Sequence, residues 1–400
     1  MNVPTVFSLA VFNNTIDALL GESRWCPMAI IPNIPTLKIG ELVSRLPIVH
    51  GGMGVGMSMS GMASAVAKEG GIGVIAAAMA GIHEADIYKH SLQANLRVLR
   101  QEIRKARERT QGVIGVNIMV ALTHYAEIVK CAINEKVDII FSGAGLPLDL
   151  PRYLSESVKT KLAPIVSSGR AASIICKKWL AKFDYLPDAF VVEGPMAGGH
   201  IGFKTEQIEN PMFSLENLLK EVKAALQPFE QQRGNTIPVI AAGGIFTGAD
   251  ILKYLRLGAA GVQMGTRFVA THECDADLAF KQAYLDAHEE EMLIIKSPVG
   301  MPGRAVRNLF LDAVAEGVKK PFRCPYQCLK TCTAEESPYC IAMALGNARK
   351  GKLKHGFAFA GKNAYRIDKI VSVKELIQSL LAEYKTALLG TTPTTASEPT

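Results

Sequence analysis

The 400-residue sequence lacks the features that mark several large classes of protein. No apolar run approaches the roughly 18 residues of a membrane-spanning helix. No basic residue precedes Arg24, so the chain does not open like a secretory signal. The 44 basic and 37 acidic side chains give a net charge of +7 but are interleaved along the chain, with no basic stripe. We therefore predict a cytoplasmic protein with neither a membrane nor a nucleic-acid partner.

Aromatic and charged residues are also sparse, at 7% and 20%, whereas apolar residues as a whole reach 48%. That share is enough to fill a large core, and it excludes a disordered chain, collagen and a coiled coil. The tail is the exception, because its Thr-, Ser- and Pro-rich composition is typical of disorder.

Between Leu37 and Ala270 one unit repeats: a short apolar run, a Gly-rich or polar turn, and an amphipathic stretch of helical length. This pattern is typical of βαβ units, and the nearly continuous apolar runs indicate strands covered on both faces. Eight such runs predict an α/β fold of the (β/α)8 TIM-barrel type, with a doubly wound open sheet as the alternative. The predicted strands are residues 46–52, 72–79, 112–120, 137–145, 162–169, 188–194, 237–244 and 261–268.

We divide the chain accordingly into four parts. Residues 1–33 form an N-terminal extension, 34–270 the barrel, 271–389 a C-terminal helical or lid segment that contains cysteines and completes the domain, and 390–400 a disordered tail. A segment that follows the last barrel strand is suited to cover a site at the carboxyl ends of the strands, where barrels place their chemistry.

Glycines follow the last two predicted strands: Gly243 and Gly244 in AAGGI, and Gly265 before Thr266 in QMGTRF. Barrels commonly bind phosphate at this position. Without a Cβ, these glycines let backbone amides approach phosphate oxygens, and Thr266 adds a hydroxyl donor. The pair of loops favours a phosphate-bearing ligand over the alternative that the glycines only tighten turns.

A second stretch of bare backbone, Gly51, Gly52, Met53 and Gly54, ends the first strand and could lie against a large planar ring. Asn117 ends the third strand, and its amide both donates and accepts, which suits the mixed edge of a flavin. An asparagine at this place can instead stabilise a turn.

His200 follows Gly198 and Gly199 in AGGHIG, where the glycines leave room for a ligand to reach the imidazole. Histidine can take a proton from an acidic carbon, such as that α to a nitro group, or return one to an enolate. Glu193 ends the sixth strand, and we expect it to orient a flavin edge or His200, or else to cap a helix or pair with a cation. Ser142 and Ser297 have no G-x-S-x-G elbow, which argues against acyl-serine chemistry.

GGMGVGMS, GVNIM, SGAGLP, VVEGPMAGGHIG, IPVIAAGGI and GVQMGTRFV occur in this order, and with them the sequence resembles the nitronate monooxygenase family, once called 2-nitropropane dioxygenases. The match runs from about Ile34 to Ala270, with weaker echoes at 297–308 and 356–367. The resemblance implies a TIM barrel that holds FMN, with the family's catalytic histidine at His200. It also implies phosphate contacts at Gly243, Gly244, Gly265 and Thr266 and ring contacts near Gly52, Met53, Asn117 and Glu193.

The function that the resemblance implies is FMN-dependent oxidation of alkyl nitronates or nitroalkanes with O₂, with His200 as the base for a neutral nitroalkane. The same motifs resemble the related flavin-dependent enoyl-acyl-carrier-protein reductases equally well. An NAD(P)H-dependent enoyl-thioester or quinone reductase therefore stays open, as does a flavin- or metal-binding protein without turnover. A small-molecule substrate is expected for either enzyme, and a homo-oligomer is compatible with the sequence.

Four of the eight cysteines lie close together, at Cys324, Cys328, Cys332 and Cys340. The spacing of four would place the first three on one face of a helix. Four thiolates could hold zinc or an iron–sulfur cluster, yet C-x₃-C-x₃-C-x₇-C matches neither a zinc knuckle nor a ferredoxin motif. A metal site and structural thiols are both left open.

Overall fold

The computed structural model describes residues 34–318, 324 and 326–390. The predicted N-terminal extension over 1–33 and the predicted disorder beyond Gly390 lie outside the described residues. Within these ranges no helix is both long and apolar enough to cross a membrane.

A parallel eight-stranded sheet forms the centre of the fold, with the order β3–β11–β10–β8–β7–β6–β5–β4. The strands of the described residues are β1 (Leu37–Ile39), β2 (Leu42–Ser44), β3 (Ile48–His50), β4 (Gly73–Ala76), β5 (Ile114–Met119), β6 (Ile139–Gly143), β7 (Lys161–Val166), β8 (Phe190–Glu193), β9 (Gly199–His200), β10 (Val239–Ala242), β11 (Gly261–Met264), β12 (Met292–Lys296) and β13 (Pro302–Val306). The sheet closes between β3 and the start of β4, where His50 N donates to Ile72 O and Ile72 N donates to Ile48 O, each at 2.9 Å. The predicted (β/α)8 barrel is confirmed, and the open sheet is not what forms.

Helices separate most of the barrel strands, as the repeat predicts, and others follow in the C-terminal segment. They are α1 (Ser60–Lys68), α2 (Ser91–Arg109), α3 (Tyr125–Asn134), α4 (Gly169–Phe183), α5 (Thr205–Ile208), α6 (Leu215–Arg233), α7 (Gly248–Arg256), α8 (Thr266–Val269), α9 (Leu278–Leu285), α10 (Leu309–Ala315), α11 (Ile341–Arg349) and α12 (Val373–Leu388). In α2 the apolar face, with Leu99 and Ile103, is buried against the barrel, which explains a helix so rich in arginine. The eighth strand ends at Met264, earlier than predicted, because Thr266 already begins α8.

The interior of the barrel is filled by side chains of several strands. Val49, Val74, Phe141, Val191 and Ile240 are all buried in one apolar cluster. Because this packed core closes the barrel to solvent, a ligand can reach only the ends of the strands.

The C-terminal segment contains strands as well as the predicted helices. β12 and β13 form an antiparallel hairpin, and β13 also pairs with β9, with Gly303 opposite His200. Apolar residues of the segment, including Phe310, Tyr339 and Phe357, share one buried cluster with Met79 and Ile82 of the barrel. Sequence reasoning missed this sheet because β9 has only two residues and so leaves no strand period to recognise.

Candidate functional site

A cavity of about 620 Å³ opens at the carboxyl ends of the barrel strands. Every residue predicted for cofactor binding or catalysis lines it: Gly51, Gly52, Met53, Gly54, Asn117, Glu193, Gly198, Gly199, His200, Gly243, Gly244, Gly265 and Thr266. Residues from five barrel strands and the loops beyond them thus meet at one place, while their individual roles stay predictions.

The loop after β10 exposes its backbone to the cavity. Gly243 and Gly244 both have φ of +91°, a conformation that L side chains rarely adopt. A Cβ on Gly243 would lie 2.7 Å from the carbonyl oxygen of Gly194. The two glycines are therefore needed for the shape of the loop, which matches the predicted phosphate site.

Two residues of the C-terminal segment brace this end of the cavity. Gly361 N donates to Thr266 Oγ1 at 3.1 Å, and Asn363 Nδ2 donates to Gly244 O at 2.8 Å. Thr266 Oγ1 accepts this hydrogen bond and donates to no group of the described residues, so its proton remains available to a ligand in the cavity. Sequence reasoning did not select Gly361 or Asn363, although both lie in residues 356–367, where the resemblance to the family is weaker.

The first strand forms a flat wall of the cavity. A Cβ on Gly52 would lie 2.4 Å from Cβ of Asn117, so nothing larger than glycine fits there. Gly51 N donates to Met264 O at 2.9 Å, which ties this wall to the end of β11. The Asn117 amide has no hydrogen-bond partner among the described residues, so its donor and acceptor both stay available to a ring edge.

Glu193 ends β8 at the floor of the cavity. Burial raises the pKa of its carboxyl from 4.5 to about 7, and no cation in the described part of the chain offsets that effect. The alternative that Glu193 pairs with a cation is therefore not supported. Near neutral pH this carboxyl can either donate or accept a hydrogen bond.

His200 lies on β9 between residues of the C-terminal segment. Its Nε2 is 2.7 Å from Ser297 Oγ, and its ring meets the Phe359 ring edge-on with the centroids 5.0 Å apart. Burial lowers the pKa of His200 from 6.5 to about 4, so the imidazole is neutral at pH 7. The other ring nitrogen, Nδ1, has no hydrogen-bond partner among the described residues, and His200 lines the cavity.

The loop that leads to His200 is held by a buried arginine. Arg304, on β13, is 2% exposed and donates through Nη1 to Pro195 O at 2.7 Å and to Ala197 O at 2.8 Å. The closest carboxylate, on Glu209, is 4.0 Å from Nη2, so backbone carbonyls supply most of the compensation for burying this charge. Sequence reasoning did not select Arg304 or Ser297 as a partner of this loop, because both lie about a hundred residues further along the chain, although 297–308 has a weaker resemblance to the family.

The cysteine segment is not helical. Residues 326–339 are turns and bends, Gln327 has φ of +45°, and Leu329 makes an isolated antiparallel bridge with Leu122. This positive φ and the bridge hold the chain away from helical geometry, so Cys324, Cys328 and Cys332 do not share a helix face.

The predicted zinc or iron–sulfur site at Cys324, Cys328, Cys332 and Cys340 is likewise not supported. In residues 34–318, 324 and 326–390 no group of three or more His, Cys, Asp or Glu side chains is arranged to hold a metal ion. Burial raises the pKa of Cys328 to about 12, with the neighbouring thiols as a further cause, and Cys340 packs in the apolar cluster of the C-terminal segment. None of the four cysteines lines the cavity.

The cavity fits a flavin mononucleotide in shape and in chemistry. One end offers bare backbone and a threonine hydroxyl for a phosphate, and the other offers a flat glycine wall with an unpartnered amide. The model of the nitronate monooxygenase family matches residues 36–383, nearly the whole described chain. The chain belongs to the nitronate monooxygenase family. As a member of that family it is an enzyme, an FMN-dependent oxidoreductase.

Proteins similar to this chain carry the names of different enzymes. FabK from Thermotoga maritima is 31% identical, with a TM-score of 0.66, over 86% of this chain and 94% of that one. A probable nitronate monooxygenase of Staphylococcus aureus is 27% identical over 70% of this chain and 80% of its own length.

A third relative is the Mycobacterium tuberculosis (3aS,4S,5R,7aS)-5-hydroxy-7a-methyl-1-oxo-octahydro-1H-indene-4-carboxyl-CoA dehydrogenase. It is 29% identical over 68% of this chain, and the match spans 66% of that enzyme. Membership of the nitronate monooxygenase family therefore identifies the class of enzyme and leaves its substrate to be argued from the site.

Proposed function

We propose that the chain oxidises alkyl nitronates, and the nitroalkanes from which they form, with FMN as electron carrier and O₂ as final acceptor. The observation that carries this proposal is His200, a neutral imidazole that faces the cavity with one nitrogen free. An imidazole in that state can hold or move a proton at a bound nitro compound.

In this proposal the cofactor lies across the cavity. Gly243, Gly244, Gly265 and Thr266 bind its phosphate through backbone amides and one hydroxyl. The residues proposed to contact its ring system are Gly51, Gly52, Met53, Gly54, Asn117, Glu193, Gly198 and Gly199. When bound, FMN accepts electrons from the substrate and passes them to O₂.

The remaining lining of the cavity excludes water from the reacting centre. Phe203, Phe213, Met301 and Phe359 line it together with His200. A substrate among these side chains is desolvated, and in such surroundings its hydrogen bonds to His200 are stronger than in water.

Reduction of an α,β-unsaturated thioester by NAD(P)H is the second candidate. A specific observation favours it: Leu146 and Met196 line the cavity yet are each 37% exposed, and Met212, beside the lining residue Phe213, is 76% exposed. Such an apolar rim suits an acyl chain longer than a small nitronate. The mycobacterial relative is named for a CoA thioester.

Anaerobic stopped-flow mixing separates the two candidates. The FMN-loaded protein is mixed with an alkyl nitronate in one experiment and with NADH or NADPH in the other, while flavin absorbance is followed. We expect the nitronate to bleach the flavin rapidly and neither nucleotide to bleach it. Bleaching by a pyridine nucleotide alone would overturn the proposal in favour of the reductase, and bleaching by neither would overturn both candidates.

A further inference from the structure

The hydroxyl of Ser297 is buried and has a single place to donate its proton. Ser297 follows β12 directly, is 3% exposed, and accepts a hydrogen bond on Oγ from Val299 N at 3.3 Å. His200 Nε2, at 2.7 Å, is the only other group of the described residues that forms a hydrogen bond with that oxygen.

This arrangement determines the direction of the hydrogen bond. A serine hydroxyl carries one proton, and a buried donor without an acceptor is costly. If Nε2 carried the imidazole proton, the Ser297 proton would have no acceptor in the described chain. If Nε2 carries the lone pair, Ser297 donates to it and every polar group here is satisfied.

We infer that Ser297 holds His200 in the tautomer protonated at Nδ1, so that the imidazole presents a hydrogen-bond donor to the cavity. Ser297 is in this sense a positioning residue, since it acts through His200. The pairing of β13 with β9 and the edge contact from Phe359 keep the ring in this orientation.

The tautomer has a consequence for the substrate, which rests on the proposed function. A nitronate carries negative charge on its oxygens, which accept a hydrogen bond from Nδ1–H. A neutral nitroalkane must first lose its α-proton to a base, and Nδ1 in this tautomer has no lone pair to accept it. The site is therefore built for the preformed nitronate anion, and a nitroalkane is oxidised only after it has lost its α-proton in solution. The base role implied for His200 by family resemblance does not follow from this geometry.

The tautomer can be read directly by ¹⁵N NMR of the FMN-loaded protein labelled at histidine, with the His200 signals assigned by their loss in His200→Asn. We expect Nδ1 to show a one-bond coupling to a proton and Nε2 to give the signal of an unprotonated ring nitrogen. Ser297→Ala should shift this balance toward Nε2–H, and Ser297→Thr should preserve it. A proton on Nε2 in the unaltered protein would overturn the inference, whatever the variants do.

The substrate consequence is tested by comparing kcat/KM for an alkyl nitronate and for its neutral nitroalkane. We expect the nitronate value to be at least about tenfold higher and Ser297→Ala to lower it about three- to tenfold, the worth of one hydrogen bond, while Ser297→Thr restores it. Ser379→Ala, which removes a hydroxyl from the outer helix α12, serves as the control and should change neither value. Equal values for the two substrates would contradict the substrate assignment.

The two proposals fail separately. Nδ1 protonation without any nitronate turnover would refute the proposed function and leave the tautomer standing. Nitronate turnover in a protein with Nε2 protonated would do the reverse.

Discussion

The two ends of the cavity are built in different ways. The phosphate end depends on missing side chains, since a Cβ at Gly243 would meet the carbonyl oxygen of Gly194. The histidine end depends on side chains that are present, because Ser297 and Arg304 reach in from the C-terminal segment to hold His200 and its loop. The barrel loops thus shape the phosphate end, with Gly361 and Asn363 bracing them, whereas the position of His200 depends on side chains of the segment that follows the barrel.

Removing the imidazole is the largest perturbation of this comparison. In His200→Asn we expect turnover to fall by about 10²–10³-fold, the usual cost of removing a hydrogen-bond donor aimed at a reacting anion, while FMN binding is retained. Steady-state rates and flavin content check this. His355→Asn, at an exposed histidine far along the chain, is the matched control. Unchanged turnover in His200→Asn would remove the histidine from the reaction.

Removing the support of the histidine loop comes next. Arg304→Met leaves the carbonyls of Pro195 and Ala197 without their donor, and we expect the free energy of unfolding to fall by about 2–4 kcal/mol. Urea denaturation of the FMN-loaded protein measures it. Arg307→Met is the control, because its ion pair with Asp312 is on the surface and should be worth at most about 1 kcal/mol. Equal losses in the two variants would show that burial of Arg304 carries no special weight.

The phosphate end is tested by filling the space that glycine leaves. Gly243→Ala puts a Cβ at φ of +91° and against Gly194 O, and we expect the Kd for FMN to rise by about 10–100-fold. Fluorescence titration of the apoprotein with FMN measures this. Gly234→Ala carries similar backbone strain at φ of +67° but lies in open space at the end of α6, so it should leave the Kd unchanged. A normal Kd in Gly243→Ala would place the phosphate elsewhere.

The smallest effect that we expect is the pH dependence of stability caused by Glu193. The pKa of Glu193 is raised to about 7, so between pH 4.5 and 7 the native carboxyl keeps a proton that the unfolded chain has lost. Stability must therefore fall as pH rises through that window. His200 has the opposite effect between about pH 4 and 6.5, but it is common to both proteins in a comparison with Glu193→Gln.

We accordingly expect the free energy of unfolding of Glu193→Gln, relative to that of the unaltered protein, to increase as the pH is raised from 5 to 8. Urea unfolding of the two apoproteins at each pH measures it. A difference in stability that does not change with pH would mean that Glu193 is ionised throughout.

The phosphate end could be predicted from the sequence because its requirement is local. A loop that must expose its amides needs glycine at that point, so AAGGI and GTRF carry the signal within a few residues. The eight strands were predictable for a similar reason, since burial on both faces leaves a continuous apolar run.

The support of His200 could not be predicted, because it is made by contacts between distant parts of the chain. Ser297 lies 97 residues after His200, and it is the pairing of β13 with β9 that brings the segments together. For the cysteines the opposite holds, because their local spacing was misleading. It left a metal site open, but the bridge between Leu329 and Leu122 of the barrel sets the path of the chain, and no metal site is found among the described residues.

A crystal structure of the protein with FMN and an alkyl nitronate would show both ends of the cavity at once. We predict that the phosphate lies against the amides of Gly243, Gly244 and Gly265, that the flavin ring lies along Gly52, and that a nitronate oxygen is within hydrogen-bond distance of His200 Nδ1. A phosphate bound away from these glycines, or a nitronate turned away from His200, would contradict it.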